Sequence, residues 1–288
     1  MIILENETMK AVISPLGAEL QSLVNKQTGI EYMWSGDANF WGKHSPVLFP
    51  IVGGLKGDTY FYKDKTYHLP RHGFARTQVF LQDQISKSEA VFTLQQNADT
   101  LKNYPFAFSL QLRYSLQKEV ISCTYAVNNP GYEDLFFSVG AHPAFAVPMV
   151  TGTTYSDYYL QFNQPEQLQR WKLEDGLISD HSEALATRND RIDLQHSLFY
   201  EDAMVLKKLH SNTITLGSAK HQHGLHFHFT DFPFFGIWAA REANFICLEP
   251  WCGIADSVQH NQQLSDKEGI IRLAPKANWQ RSWQVACF

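Results

Sequence analysis

The sequence lacks the signatures of most nucleotide, metal and hydrolase chemistry. No G-x-G-x-x-G, Walker A, H-E-x-x-H or G-x-S-x-G pattern occurs in its 288 residues. Support for nucleotide cofactors, zinc proteolysis and the usual serine hydrolase arrangement falls away together. Cysteine is scarce: the four residues at 123, 247, 252 and 287 fit no zinc or redox spacing and are too few for a disulfide scaffold. Charge is low at 18%, and 24 basic against 29 acidic residues leave a net −5. No positive field draws in phosphate backbones or anionic lipid, so nucleic acid is not an expected partner. No run approaches the roughly 18 apolar residues of a membrane span. The start, MIILENETMK, is halted by Glu5 before a signal-peptide core can form. The expectation is a cytoplasmic protein with reduced thiols and no membrane contact.

Aromatic side chains and histidine are what the sequence has in quantity. Phe, Tyr and Trp make up 14% and His numbers 12, in a chain that is 44% hydrophobic. Rings beside neutral hydrogen-bonding groups suit sugars, whose C–H faces stack while their hydroxyls need fixed polar partners. The same aromatics would also serve as the core of a β-sandwich.

Period-two patterning dominates. Phe108 to Leu116 alternates apolar and polar residues, and Val120 to Val127 follows after Gln117-Lys-Glu119, a loop of hairpin length. Similar short runs occur at Lys10–Ser14, Ala90–Leu94, Tyr159–Phe162, Thr213–Leu216, Leu225–Phe229, Phe235–Ala239, Phe245–Leu248 and Ile270–Leu273. Turn chemistry punctuates them at Pro15-Leu-Gly17, Asn129-Pro-Gly131 and Glu174-Asp-Gly176. Helical signals are few and short, such as Ala98–Asn103, which Tyr104-Pro105 ends. The pattern predicts an all-β sandwich. No linker composition divides it, so one domain over residues 1–288 is expected. Residues 163–200, polar and irregular, read as an insertion over one sheet face.

Four constellations could carry chemistry. Arg71-His72-Gly73-Phe74-Ala75-Arg76 places an imidazole between two guanidiniums, with a Gly permitting close backbone approach; the alternative is arginines paired with surface acids. His142, in Gly140-Ala-His-Pro143, follows the apolar stretch Leu135–Val139. Partial desolvation there lowers an imidazole pKa, although a satisfied core histidine is the commoner fate. Glu249 ends the apolar run Phe245–Leu248 and precedes Pro250-Trp251. Such company raises a carboxyl pKa and makes a serviceable general base, unless the side chain turns to solvent. His221 to His228 holds four histidines, but His226 and His228 alternate with apolar residues and no Cys or carboxylate completes a zinc pattern. That segment reads as a solvated or ligand-lining strand face, and no metal site is expected.

Several ordered motifs resemble those of the aldose 1-epimerase (galactose mutarotase-like) superfamily. They are Gly17-Ala-Glu-Leu-Gln-Ser-Leu23, Glu31-Tyr-Met-Trp34-Ser-Gly36-Asp37, Trp41, Ser45-Pro46 to Pro50-Ile-Val-Gly53, His72-Gly73 with Arg76, Ala141-His142-Pro143, and Leu248-Glu249-Pro250-Trp251, with a fitting tail from Lys267 to Trp283. The spelling is closest to the bacterial branch that includes the LacX proteins of lactose operons. The resemblance implies a β-supersandwich with few short helices, and cofactor-independent interconversion of the α and β anomers of a hexose. It implies Glu249 as base, His142 as acid and His72 as a second imidazole near the ring oxygen. Arg71, Arg76, Lys43, Asp202 and Trp251 fall at or near expected sugar- or phosphate-binding positions. Gly54 departs from the pattern, which expects a larger, often basic residue there. Three readings stay open: a mutarotase on a free hexose, one on a hexose 6-phosphate, and a non-catalytic carbohydrate-binding or sensing protein. The expected partner is a small aldose, and a homodimer is admitted.

Overall fold

The computed structural model describes residues 1–288. Alternating side chains do build strands: there are 23, against one four-residue α-helix, Thr100–Asn103, and five 3-10 turns. The even-numbered residues of Ser109–Gln117 and the odd-numbered residues of Val120–Asn128 face inward, in strict alternation with outward-facing ones. Their hairpin turn is Lys118-Glu119, with Lys118 at positive φ.

Two large antiparallel sheets dominate. The nine-stranded sheet runs, in spatial order, through Arg191–Asp193, Tyr158–Phe162, Thr213–Ser218, Leu225–His228, Asn278–Cys287, Val120–Asn128, Ser109–Gln117, Glu89–Gln95 and Leu81–Ser86. The seven-stranded sheet runs through Val139–Gly140, Phe245–Cys252, Phe234–Trp238, Met204–Lys207, Gln169–Glu174 and Leu177–Ala184, with Ala144–Ala146 also on Phe245–Cys252. The sheets meet through aromatic contacts such as Phe229–Phe235, 4.4 Å between ring centroids, and Phe227–Phe235 at 6.1 Å. A cluster of 69 buried residues, from Leu4 to Cys287, fills the space between and around them. A three-stranded sheet of Ile2–Glu5, Met9–Ser14 and Glu19–Asn25 and two two-stranded ribbons complete the fold.

Residues 163–200 differ from their expected role as an irregular cover. They supply the hairpin Gln169–Glu174 with Leu177–Ala184, which extends the seven-stranded sheet, and Arg191–Asp193, which edges the other. Both pieces are sheet edges; Leu177–Ala184 is exposed on both faces from Asp180 onward and Arg191–Asp193 is only three residues long, so no apolar alternation marks them. The turn expected at Glu174-Asp-Gly176 is the tip of this hairpin.

The strand carrying Glu249 also runs further than its apolar start suggests. It continues to Cys252, and all eight residues are buried because both faces of the sheet are covered. Ile246 and Leu248 belong to the main core, while Trp251 joins a separate cluster of eight with Leu48, Val52, Ile178, Val205, Phe234, Ile254 and Ala255. That second cluster lies on the side where the cavity opens. Trp251 sits in a slot made by two glycines: a Cβ on Gly140 would stand 2.6 Å from its Cδ1, and one on Gly236 would stand 2.4 Å from its Cζ2. Replacing Gly236 by Ala should therefore expel the indole and cost about 1–3 kcal/mol of unfolding free energy, the range for overpacking. Urea denaturation followed by tryptophan fluorescence measures it, and parental stability would show that the slot is not tight.

Candidate active site

An interruption in one β-ladder assembles the site. Val139–Gly140 pairs with Cys252 and Trp251, and Ala144–Ala146 pairs with Cys247 to Phe245. Between them, Ala141-His142-Pro143 leaves the ladder opposite Leu248, Glu249 and Pro250. Two hydrogen bonds clamp the ends of the gap, from Ala141 N–H to Pro250 O and from Leu248 N–H to Pro143 O, both 3.1 Å. Pro250 offers no N–H toward the gap, so the break orphans no donor at that position. A central strand ordinarily rejects proline; here the break accommodates it.

The gap brings His142 to Glu249, with Nε2 3.3 Å from Oε2. Both are buried, Glu249 to 2% exposure and His142 to 8%. Burial pushes the Glu249 carboxyl well above its ordinary range, with Asp202 acting in the same direction and Arg71 against it. Burial likewise lowers His142, to about 3, and the Arg76 and Arg71 charges push the same way. Both shifts disfavour the charged form of their group, because the two side chains share a nearly dry space. Trp41 stacks on the His142 ring at 5.0 Å, and Trp238 meets it edge-on at 5.8 Å.

His72 arrives from a loop stitched to the same place. Leu48 pairs with Gly140 through two 3.0 Å hydrogen bonds, and Phe49 N–H donates to His72 O at 3.3 Å. His72 N–H donates to Gly53 O at 2.8 Å, and Gly53 N–H donates to His72 Nδ1 at 3.1 Å. Nδ1 is thereby an acceptor, which leaves the ring proton of neutral His72 on Nε2 as a donor. Burial holds the ring neutral, its pKa well below the ordinary value, reinforced by His142 and the neighbouring cations. Its ring centroid lies 5.8 Å from that of His142, at 85°. Gly53 is required here: its φ is +72°, and a Cβ would stand 2.4 Å from that of Ala255.

These groups line a cavity of about 350 Å³, together with Arg71, Arg76, Asp202, Trp251, Trp41 and Trp238. Leu173, Gly176 and Ile178 of the edge hairpin wall one side. Neither arginine pairs with a carboxylate: Arg76 Nη2 donates to Arg71 O at 2.7 Å, and the Arg71 guanidinium lies against Gly176. Asp202 holds a φ of +119°, with its Oδ1 accepting from Ala203 N–H at 2.7 Å. Lys43 is the exception among the expected residues, since it does not line the cavity. Gly54 faces the hairpin tip, where Gly176 O lies 3.4 Å from the place a Cβ would take, an ordinary contact distance that by itself does not demand glycine. Trp238, Leu173 and Ile178 carried no sequence signal beyond apolar character, and Gly176 was legible only as a turn residue.

The aldose 1-epimerase family profile matches residues 1–268. This chain belongs to the aldose 1-epimerase family. It is 34% identical to the chromosomal protein LacX of Lactococcus lactis over 292 aligned positions, covering 98% of this chain and 97% of that one. Its fold is that of a galactose mutarotase related enzyme from Lactobacillus acidophilus, with a TM-score of 0.95, 36% identity, and 99% and 96% of the two chains covered. A galactose mutarotase-like protein from Lactobacillus casei gives 0.94 at 35% identity, with both chains covered in full. The family member described here is thus an all-β, galactose mutarotase-like supersandwich of the LacX-like branch.

Its buried carboxyl has a thermodynamic signature. In the unfolded chain Glu249 sheds its proton through the ordinary value of 4.5, whereas the folded chain retains it to higher pH. Above that value the unfolded state binds fewer protons, so this residue's contribution weakens stability as pH rises toward the folded pKa. Glu249→Gln should therefore melt higher than the parent, with the gap wider at about pH 8 than at about pH 5. Calorimetry at both values tests the sign; a gap that narrows with pH would refute the raised carboxyl.

Proposed function

We propose that this protein is a cofactor-independent mutarotase that interconverts the α and β anomers of an aldose. The observation that carries the reading is the Glu249–His142 contact of 3.3 Å, facing a cavity of monosaccharide size. Opening a cyclic hemiacetal requires removal of the C1 hydroxyl proton and protonation of the ring oxygen. In this reading the carboxyl, raised by burial, is protonated at rest and supplies the one proton needed. Shifting it from Glu249 to His142 creates carboxylate base and imidazolium acid with no change in net charge. Glu249 then takes the C1 proton and His142 protonates the ring oxygen. After C1 rotates, the transfers reverse from the other face of the aldehyde. His72, neutral with Nε2–H as donor, hydrogen-bonds near the ring oxygen rather than supplying the proton. Asp202 accepts from sugar hydroxyls, while Trp251 and Trp41 offer ring faces to the sugar's C–H surface.

A phosphorylated aldose is a second reading, favoured by the two guanidiniums that line the cavity without a carboxylate partner. An anionic substrate would complete that pairing. Relative rates on glucose and glucose 6-phosphate separate the two, and Arg76→Ala would depress only the phosphate rate if the second holds.

Polarimetry of freshly dissolved α-glucose and α-galactose tests the activity. His142→Ala and Glu249→Gln should each lower turnover by about 100-fold or more. Full activity in both would overturn the role assignments, and no acceleration of any common aldose or aldose 6-phosphate would remove the activity itself. Because His142 titrates at about 3, the rate in the parent should hold through mildly acidic pH. An acid limb centred near the ordinary histidine value of 6.5 would contradict this.

A further inference from the structure

Cys247 stands two residues before Glu249 on the same strand and therefore on the same face. Its thiol, one ring nitrogen of His142 and one carboxylate oxygen of Glu249 all lie within 4.8 Å of one another. We propose that His142, Cys247 and Glu249 form a site for a thiophilic divalent cation, zinc being the natural case, and that its occupation inhibits the enzyme.

Four features support this assignment. The donor set of one sulfur, one nitrogen and one oxygen suits tetrahedral zinc, and the thiol disfavours magnesium and calcium. Bond lengths of about 2.0–2.3 Å place tetrahedral donors about 3.3–3.7 Å apart, so closure by about 1 Å suffices. Charge also balances. Binding forms bonds to sulfur, nitrogen and oxygen and displaces any proton those donors hold, and a thiolate and a carboxylate together neutralise the dication beside a neutral imidazole, avoiding the penalty of burying an uncompensated ion. His142 and Glu249 line the cavity, which gives the cation its entry and leaves the fourth position to water or a sugar hydroxyl. Cys247 itself is fully buried behind them.

The inhibitory consequence rests on the mutarotase reading, because zinc would occupy the lone pairs of both the acid and the base. The site itself does not depend on that reading. The test uses the full chain, fully reduced, titrated with zinc in a chelator-buffered solution. Calorimetry should give one bound ion per chain, and cobalt(II) in its place should show a thiolate-to-metal charge-transfer absorption. Cys247→Ser should weaken zinc binding by at least about tenfold and abolish the cobalt band, while parental turnover without metal is retained. Polarimetric activity should fall with the same zinc midpoint as binding and return with EDTA.

No zinc binding, or binding undiminished in Cys247→Ser, would overturn the proposal, the latter placing the ion away from Cys247. If the variant fails to fold, the absence of a cobalt thiolate band in the parent decides against the site. Zinc binding that depends on Cys247, in a protein inactive on every sugar, would uphold the site and overturn the mutarotase reading instead.

Discussion

Everything chemical in this protein depends on a three-residue gap in a hydrogen-bonded ladder. A continuous strand from Val139 to Ala146 would bury His142 as one more rung beside Leu248–Pro250. Instead the chain steps out between Gly140 and Ala144, and the two prolines bordering the gap remove donors that would otherwise need partners. The imidazole is then held across from Glu249 by backbone geometry rather than by its own flexibility. Segment Leu48–Gly53 repeats the strategy, hydrogen-bonding to Gly140 on one side and to the His72 loop on the other. Both imidazoles are therefore fixed relative to one frame, which is the preorganisation that acid–base chemistry requires.

The arrangement opposes stability. A carboxyl and an imidazole share a nearly dry space in which burial works against the charged form of each. Two guanidiniums face the same cavity without a carboxylate partner, and Asp202 holds an uncommon backbone angle. Such features persist because the surroundings leave no alternative. Glycines at 140 and 236 make room for Trp251, and Gly53 makes room for Ala255 while reaching His72. The frustration is confined to one wall, while 69 residues of core support it from behind.

Much of the framework is legible in the sequence. The strands at 108–127 and 213–229 stand within a few residues of their expected bounds because one face of each packs on the core and alternation records it, whereas those at 235–248 read as continuous apolar runs because both their faces are covered. His226 points outward from Leu225–His228, as its alternation with Leu225 and Phe227 implies. The edge hairpin at 169–184 escapes notice because a strand wet on both faces carries no period-two signal. Lys43 stays outside the cavity although its sequence position is close to Trp41, which lines it. Neighbours in sequence need not face the same way once the chain turns.

Sequence by itself determined the residue types available, the all-β class and the candidacy of His72, His142 and Glu249, because local patterning and short motifs encode these. It also offered Glu249 as a strand end, since the apolar run stops at Leu248. Only the tertiary structure decided that this carboxyl is fully buried, that it lies 3.3 Å from an imidazole over a hundred positions away, and that Cys247 lies beside them. Desolvation and contact are properties of what the remainder of the chain packs around a side chain. They arise from the second sheet, the edge hairpin and the ladder gap together, and no local pattern contains all three.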